Sequence, residues 1–427
     1  MKKLLARELT GILLCSVLGG CAGVQGTGNS MNPPPQQLSQ VPRSSIKNLI
    51  IVVMQNRSFD HLFGTYPGAN GLDSSLPSYT QGNKAGNQIT ESLLADTNPA
   101  DLNHTAQSYQ TAYDSGKMDK YAWANGDLAM SYYDNHTTGT AADGKQASLS
   151  TIWSYAQQYA LADNFFASAM ASEPSNMLYM VAADVGTGSD PYGYPQLDNC
   201  TAGLFAQNQS LGANITPPLT FTNVGDQLSS HNISWAFYQE FFANEQNGSC
   251  KHYVPQENPF QYFQSTANSG NVKDFTLDNF SSLLSSESLP SVTWVQGSPS
   301  HSMHPGQGDI ATAIEWLDGF VKTVQNSSAW ANSAIIVLWD ESGGWYDHVA
   351  PPQLSGTLGL GARVPVLVIS PFAKNNYVSS KQMDFVSILR FIQWNWALGQ
   401  FSDAGQSARE AQSGNICDLL TTNCDSP

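Results

Sequence analysis

Three short runs carry no polar residue at all: Leu49 to Met54, Ala334 to Trp339 and Val364 to Ile369. Each has the length of a strand and no residue that would tolerate a wet face, so the pattern predicts strands buried on both sides of a mostly parallel sheet. Between and after them, apolar residues recur at helical spacing over Ser148 to Ala160, Gly308 to Thr323 and Asp384 to Leu398, the last with Phe385, Ile388, Leu389, Ile392 and Trp396 on one face. Strands alternating with helices predict an α/β fold, a mostly parallel central sheet flanked by helices. The Asn-, Gly- and Ser-rich stretches 185–232 and 243–275 are expected to be long surface excursions from a single large domain, residues 46–427, because no repeat and no linker divides the chain.

The N-terminus has a different pattern. Lys2, Lys3 and Arg7 precede the apolar run Gly11 to Leu18, the charge order of a secretory signal and too short a run to span a bilayer. Leu18-Gly19-Gly20-Cys21 resembles the bacterial lipobox, so residues 1–20 are expected to be a lipoprotein signal peptide and Cys21 a lipidated membrane anchor. Residues 21–45, rich in Gly, Pro, Gln and Ser, are expected to be a flexible tether to the domain. Export to the cell envelope agrees with an even count of remaining cysteines. Of the three possible connectivities, Cys200 with Cys250 and Cys417 with Cys424 is the one expected.

Composition narrows the function. With 10 Trp, 17 Tyr and 18 Phe in 427 residues the chain has material for a large core. A formal charge of -16 leaves no basic stripe to displace counterions from nucleic acid. Removal of residues 1–20 would deepen that charge to -18.

Chemistry in such a sheet is expected outside the carboxyl ends of the strands. The first apolar run leads into Gln55-Asn56-Arg57-Ser58-Phe59-Asp60-His61, and the second into Asp340-Glu341-Ser342-Gly343-Gly344-Trp345-Tyr346-Asp347-His348. Adjacent acids at a strand end are costly to bury without a cation, and a divalent metal held by Asp340, Glu341 and the amide oxygen of Asn56 is the simplest partner. A solvated turn whose acids cap a helix is the plainer alternative.

These segments, together with His104 to Asp119, Ser172-Glu173-Pro174-Ser175-Asn176-Met177-Leu178-Tyr179, His304-Pro305-Gly306 and Arg363 to Pro371, occur in the order seen in the bacterial phosphoesterase family. The mature chain resembles that family, which comprises phospholipases C of the non-haemolytic type and related acid phosphatases, over nearly its whole length. The resemblance implies an alkaline-phosphatase-like fold and a phosphoester hydrolase acting on phospholipids or phosphomonoesters through a metal-bound Ser nucleophile. It further implies that Gln55, Asn56, Asp340 and Glu341 are metal ligands and that Ser172 is the nucleophile, with Ser175 as a rival. His104 and His304 would hold the phosphoryl oxygens or protonate the leaving group. Gln55 stands where the family has Glu, and Glu257, before Asn258-Pro259-Phe260, stands where it has His; nearby His252 is a candidate substitute. The first departure keeps open a surface binding protein with a decayed site. A sulfatase-like relative is disfavoured by the absence of a Cys/Ser-X-Pro-X-Arg signature.

The other histidines invite bland readings. His61 is expected to pack beneath the first loop, His348 to bond within its own turn, and His136, His231 and His301 to lie on the surface; Asp347 and Asp384 are expected to be structural.

Overall fold

The computed structural model describes residues 41–72, 79–171, 173–186, 219–242, 252–254, 257–267, 269–354, 359–422 and 424. The signal segment, Cys21, Ser172, Cys200 and Cys250 lie outside the described residues, as does most of the expected tether.

Eight strands form the central sheet: β1 (Asn48–Met54), β2 (Ala160–Ala162), β3 (Trp235–Glu240), β4 (Val272–Phe275), β5 (Val292–Gln296), β6 (Ser333–Trp339), β7 (Val366–Ile369) and β8 (Tyr377–Ser379). Their order across the sheet is β4-β3-β5-β1-β6-β7-β2-β8. All neighbouring pairs are parallel except those made by β7, which runs antiparallel to both β6 and β2. The third apolar run therefore enters the sheet in the reverse direction, and its hydrophobicity could not reveal this, since a strand buried on both faces looks alike read either way.

Helices α1 (Phe59–Phe63), α2 (Ala106–Tyr113), α3 (Leu149–Gln158), α4 (Glu173–Ala182), α5 (Ile310–Gln325) and α6 (Phe385–Asn395) accompany the sheet. Helix α6 packs on α4, and α3 on α5. Leu49, Ile50, Ile51, Val52 and Val53 are fully buried in the central strand, each contributing roughly 1.5–3 kcal/mol by leaving water. Cys417 and Cys424 form a disulfide with Cα atoms 6.0 Å apart, the pairing expected for them.

The stretches read as excursions are partly structure. Val224–Ser230 is a helix, and β4 together with the buried Phe260, Tyr262 and Phe263 lies inside 243–275. Strands β3 and β5 escape the apolar criterion because they end in Gln239-Glu240 and Gln296, polar residues whose use becomes clear at the site.

Register sets up that site. Met54 of β1 pairs with Trp339 of β6, so Gln55-Asn56 and Asp340-Glu341 leave the sheet side by side at its carboxyl edge. On the other flank Val53 pairs with Gln296 of β5, and Gln296 with Gln239 of β3.

Candidate active site

Asn56 turns the chain sharply away from β1. It adopts the left-handed conformation, φ +57°, which Asn tolerates better than most residues. Its backbone N–H donates to Asp340 Oδ1 at 3.2 Å, and the Glu341 N–H donates to the same oxygen at 2.8 Å. Gly343 (φ +62°) closes against this turn so tightly that a Cβ there would sit 2.5 Å from the Asn56 carbonyl oxygen. Only glycine fits.

Asp340 and Glu341 are fully buried, so the solvated turn is excluded as their setting. Their partners differ. Glu341 Oε1 lies 2.6 Å from His104 Nδ1, and its Oε2 accepts from the Tyr109 hydroxyl at 2.7 Å. Asp340 Oδ2 and Asn56 Oδ1 have no hydrogen-bond partner although both are buried. Burial, reinforced by Glu341, pushes the Asp340 carboxyl well above the usual carboxylate range. His104 is pulled down by burial, but the Glu341 charge and the contact with Asp101, 3.4 Å from Nε2, outweigh this and push it up to about 11. Its charged form is the one these partners favour.

His304 is its opposite. Burial lowers its pKa, and its Nδ1–H donates to the Pro305 carbonyl at 2.8 Å, which leaves Nε2 as an acceptor facing Asn56 Nδ2 at 3.2 Å. The two imidazole rings stand 6.2 Å apart. The loop bearing His304 is held by Arg57, whose Nε and Nη2 donate to the Met303 carbonyl at 3.3 and 3.0 Å, and Met303 itself is forced to φ +77°.

Gln55 and Glu257 touch each other. Gln55 Nε2 donates to Glu257 Oε1 at 2.7 Å, while Gln55 Oε1 accepts from Ser302 Oγ at 2.6 Å. His252 instead packs tilted against Phe241, with ring centroids 4.7 Å apart. Ser175 is buried in the first turns of α4, and Asn176 next to it accepts from the Ala169 N–H and donates to the Ala171 carbonyl, fixing the chain that leads into this segment. Glu173, at the head of α4, is raised well above the usual range by burial and by the charges of Glu257, Asp340 and Glu341.

Sequence reasoning missed Asp101, Tyr109, Glu173 and Ser302. Asp101 stands three residues before His104 and could have been suspected from that spacing; Tyr109 and Ser302 carry no local signal.

The remaining predictions sort by contact. His61 is buried, donating to the Ser131 carbonyl at 2.7 Å beneath the first loop. His348 finds its partner outside its own turn, Nδ1 lying 2.7 Å from Asp60 Oδ2. Asp60 and Asp347 share Arg363, which meets them at 2.8 and 3.0 Å, and Asp384 pairs with Arg409. His136 is exposed, but His301 corrects the expectation of a plain surface residue: Glu240 Oε2 holds its Nδ1 at 2.6 Å.

A family model described as "Phosphoesterase family" matches residues 46–399. The chain belongs to the phosphoesterase family. It is 25% identical over 406 residues to the non-hemolytic phospholipase C of Pseudomonas aeruginosa, covering 82% of this chain and 53% of that protein. It is 24% identical over 398 residues to phospholipase C B of Mycobacterium tuberculosis (82% and 73%), and 24% over 415 residues to the non-specific phospholipase C1 of Arabidopsis thaliana (86% and 67%). The chain thus spans about half the length of the Pseudomonas relative. Among solved structures, a Vibrio parahaemolyticus protein of the alkaline phosphatase superfamily is similar at 10% identity and a TM-score of 0.42, over 90% of this chain and 76% of that one. No helix among the described residues is long and apolar enough to cross a membrane.

Proposed function

We propose that the protein is a divalent-cation-dependent phosphoester hydrolase of the phospholipase C type, exported and tethered through a lipidated Cys21. The observation that carries the reading is the pair of buried, unpartnered oxygens, Asn56 Oδ1 and Asp340 Oδ2. Buried polar atoms are rarely left without partners, and oxygen donors beside a net negative charge suit a hard divalent cation. Asn56 and Asp340 would hold it, with Glu341 as the neighbouring carboxylate. When bound, such an ion supplies Lewis acidity that lowers the pKa of a serine hydroxyl and neutralises phosphoryl charge.

The chain's own groups divide the rest. Ser172 is the proposed nucleophile, attacking phosphorus so that the ester oxygen leaves and a phosphoserine forms, later hydrolysed by water. His104 acts as a fixed cation, held by buried Glu341 on one side and by the more exposed Asp101 on the other. A phosphoryl oxygen can take the place of Asp101. His304 offers an unprotonated Nε2 within the same cluster, suited to accepting a proton from the attacking hydroxyl or water. The strongly acidic composition favours a zwitterionic phospholipid or a small soluble ester over anionic lipid, chiefly within a Debye length of about 8 Å.

The test is turnover of p-nitrophenyl phosphate, phosphatidylcholine and phosphatidylglycerol with and without a chelator. Chelator-sensitive hydrolysis with phosphatidylcholine ahead of phosphatidylglycerol is expected. A protein that binds these esters but never turns them over would instead favour a decayed binding site.

A further inference from the structure

Three glutamines arrive together at the carboxyl edge of the sheet. Gln239 ends in β3, Gln296 closes β5, and Gln55 follows β1, the three strands being neighbours in register. Their side-chain amides converge on one carboxylate: Gln55 Nε2 donates to Glu257 Oε1 at 2.7 Å, and Gln296 and Gln239 donate to Oε2 at 3.0 and 3.4 Å. Glu257 is 2% exposed, and these partners are neutral. Burial, and after it the like charge of Asp340, push the Glu257 carboxyl up to about 8 against the three amides that favour the anion, so its ionised form calls for a cation close by.

Such an arrangement is incomplete by itself. Burying an anion costs several kcal/mol unless an opposite charge answers it, and neutral amides offset only part of that. The same region contains Asp340 and Glu341, and among the described residues the ion-pair contact to them is that of His104 with Glu341. Gln55 joins the two halves: it is the residue before Asn56, its backbone N–H donates to the Ser302 carbonyl at 2.7 Å, and its side chain is fixed between Ser302 and Glu257. Both of its side-chain polar atoms are thus engaged with protein groups. Glu257 thus reaches the residue before Asn56 through the Gln55 side chain.

We propose that Glu257 is the counter-charge of the cation site, acting from behind Gln55, and that Gln55 is a positioning residue that transmits the pull of that charge by orienting the Asn56 turn. The inference rests on the reading of Asn56 and Asp340 as cation ligands. It deepens that reading by giving the negative charge of the site an address that no ligand position reveals. Partners of ligands typically alter metal affinity by about 10–100-fold, the range expected here.

The experiment measures Kd for Mn2+ and for Ca2+ by chelator competition, and the rise in Tm each ion produces, for the full chain and three variants. Glu257→Gln should weaken binding by about tenfold or more and shrink the ion-induced rise in Tm. Gln55→Glu sets two carboxylates against each other and should lower the Tm of the metal-free protein. The exchange Gln55→Glu/Glu257→Gln, which reverses the direction of one hydrogen bond and moves the charge to position 55, should bring affinity back to within a few-fold of the parent. A Glu257→Gln protein whose metal-free Tm falls while its Kd and ion-induced rise stay unchanged would reduce Glu257 to a packing role and overturn the proposal. So would an exchange variant that binds no better than Glu257→Gln. A parent protein that binds neither ion would remove the cation reading itself, and the counter-charge with it.

Discussion

Asn56 Nδ2 lies 3.2 Å from the unprotonated Nε2 of His304, and this contact decides which way the Asn56 amide faces. Because the Pro305 carbonyl accepts the only ring N–H of neutral His304, the amide must offer its NH2 to the ring, which leaves its buried oxygen without a protein partner. His304→Ala should therefore weaken retention of a divalent ion by about tenfold, apart from its effect on turnover, while His304→Gln with its amide oxygen facing Asn56 should recover part of the loss. Chelator competition checks this; an unchanged affinity in His304→Ala would free Asn56 from that control.

Ser172→Ala should lower turnover of an aryl phosphate by on the order of a thousandfold or more while leaving metal affinity and Tm close to the parent. Ser175→Ala, altering a buried residue of α4, should act mainly on stability. The opposite ranking in steady-state assays would transfer the nucleophile to Ser175.

Arg363 is fully buried and bridges Asp60 and Asp347, the residues that tie α1 to the loop following Asp340-Glu341. Arg363→Met leaves two buried carboxylates without their cation and should cost about 3–5 kcal/mol in denaturant unfolding. Arg363→Lys should recover little, because one ammonium cannot replace a fork that also donates to the carbonyls of Asn70 and Asp163.

Glu240 gathers the loop leading to His304 by accepting from Ser298 N–H, His301 Nδ1 and Trp316 Nε1. Burial opposes its charge, but the His301 and Ser298 hydrogen bonds prevail and hold it below its ordinary 4.5. A depressed carboxyl stabilises the fold above that ordinary value and stops doing so as pH falls through the lower folded one. The difference in Tm between parent and Glu240→Gln should be largest near neutrality and shrink below about pH 4.5; a difference that grows in acid would contradict the assignment.

Gly343→Ala places a methyl group against the Asn56 carbonyl at a residue with positive φ. A loss of more than about 1 kcal/mol is expected, with metal affinity falling alongside it. Ala at Gly319, a helical position with open space, is the control and should be tolerated or mildly stabilising.

What the chain disclosed in advance follows from where its signals are local. Strands β1 and β6 were legible because continuous burial demands continuous apolar residues, and Asp340-Glu341 because two acids at a strand end are conspicuous. Strands β3 and β5 were not, since they close on polar residues, Gln239-Glu240 and Gln296, and both glutamines face Glu257. Glu257 stood out only as a departure from the resembling family; its burial was not legible, because it rests on contacts with Gln55, Gln239 and Gln296 that no local pattern reports. The pairing of Tyr109 with Glu341 joins residues 232 positions apart, and no periodicity reports such a distance.

The reversed strand β7 has a consequence for threading. Val366-Leu367-Val368-Ile369 is buried throughout, so it has no wet side by which to choose its alignment, and sliding it by one residue would exchange one apolar contact for another. Because it runs against β6, however, its first residue sits beside Leu338, and Arg363 just ahead of it reaches the carboxyl edge of the parallel strands. A guanidinium pinned by two carboxylates and two carbonyls thus indexes a strand that its own side chains leave unindexed. Inserting or deleting one residue between Arg363 and Val366 would keep the core's composition intact and still dephase the sheet from its carboxyl edge.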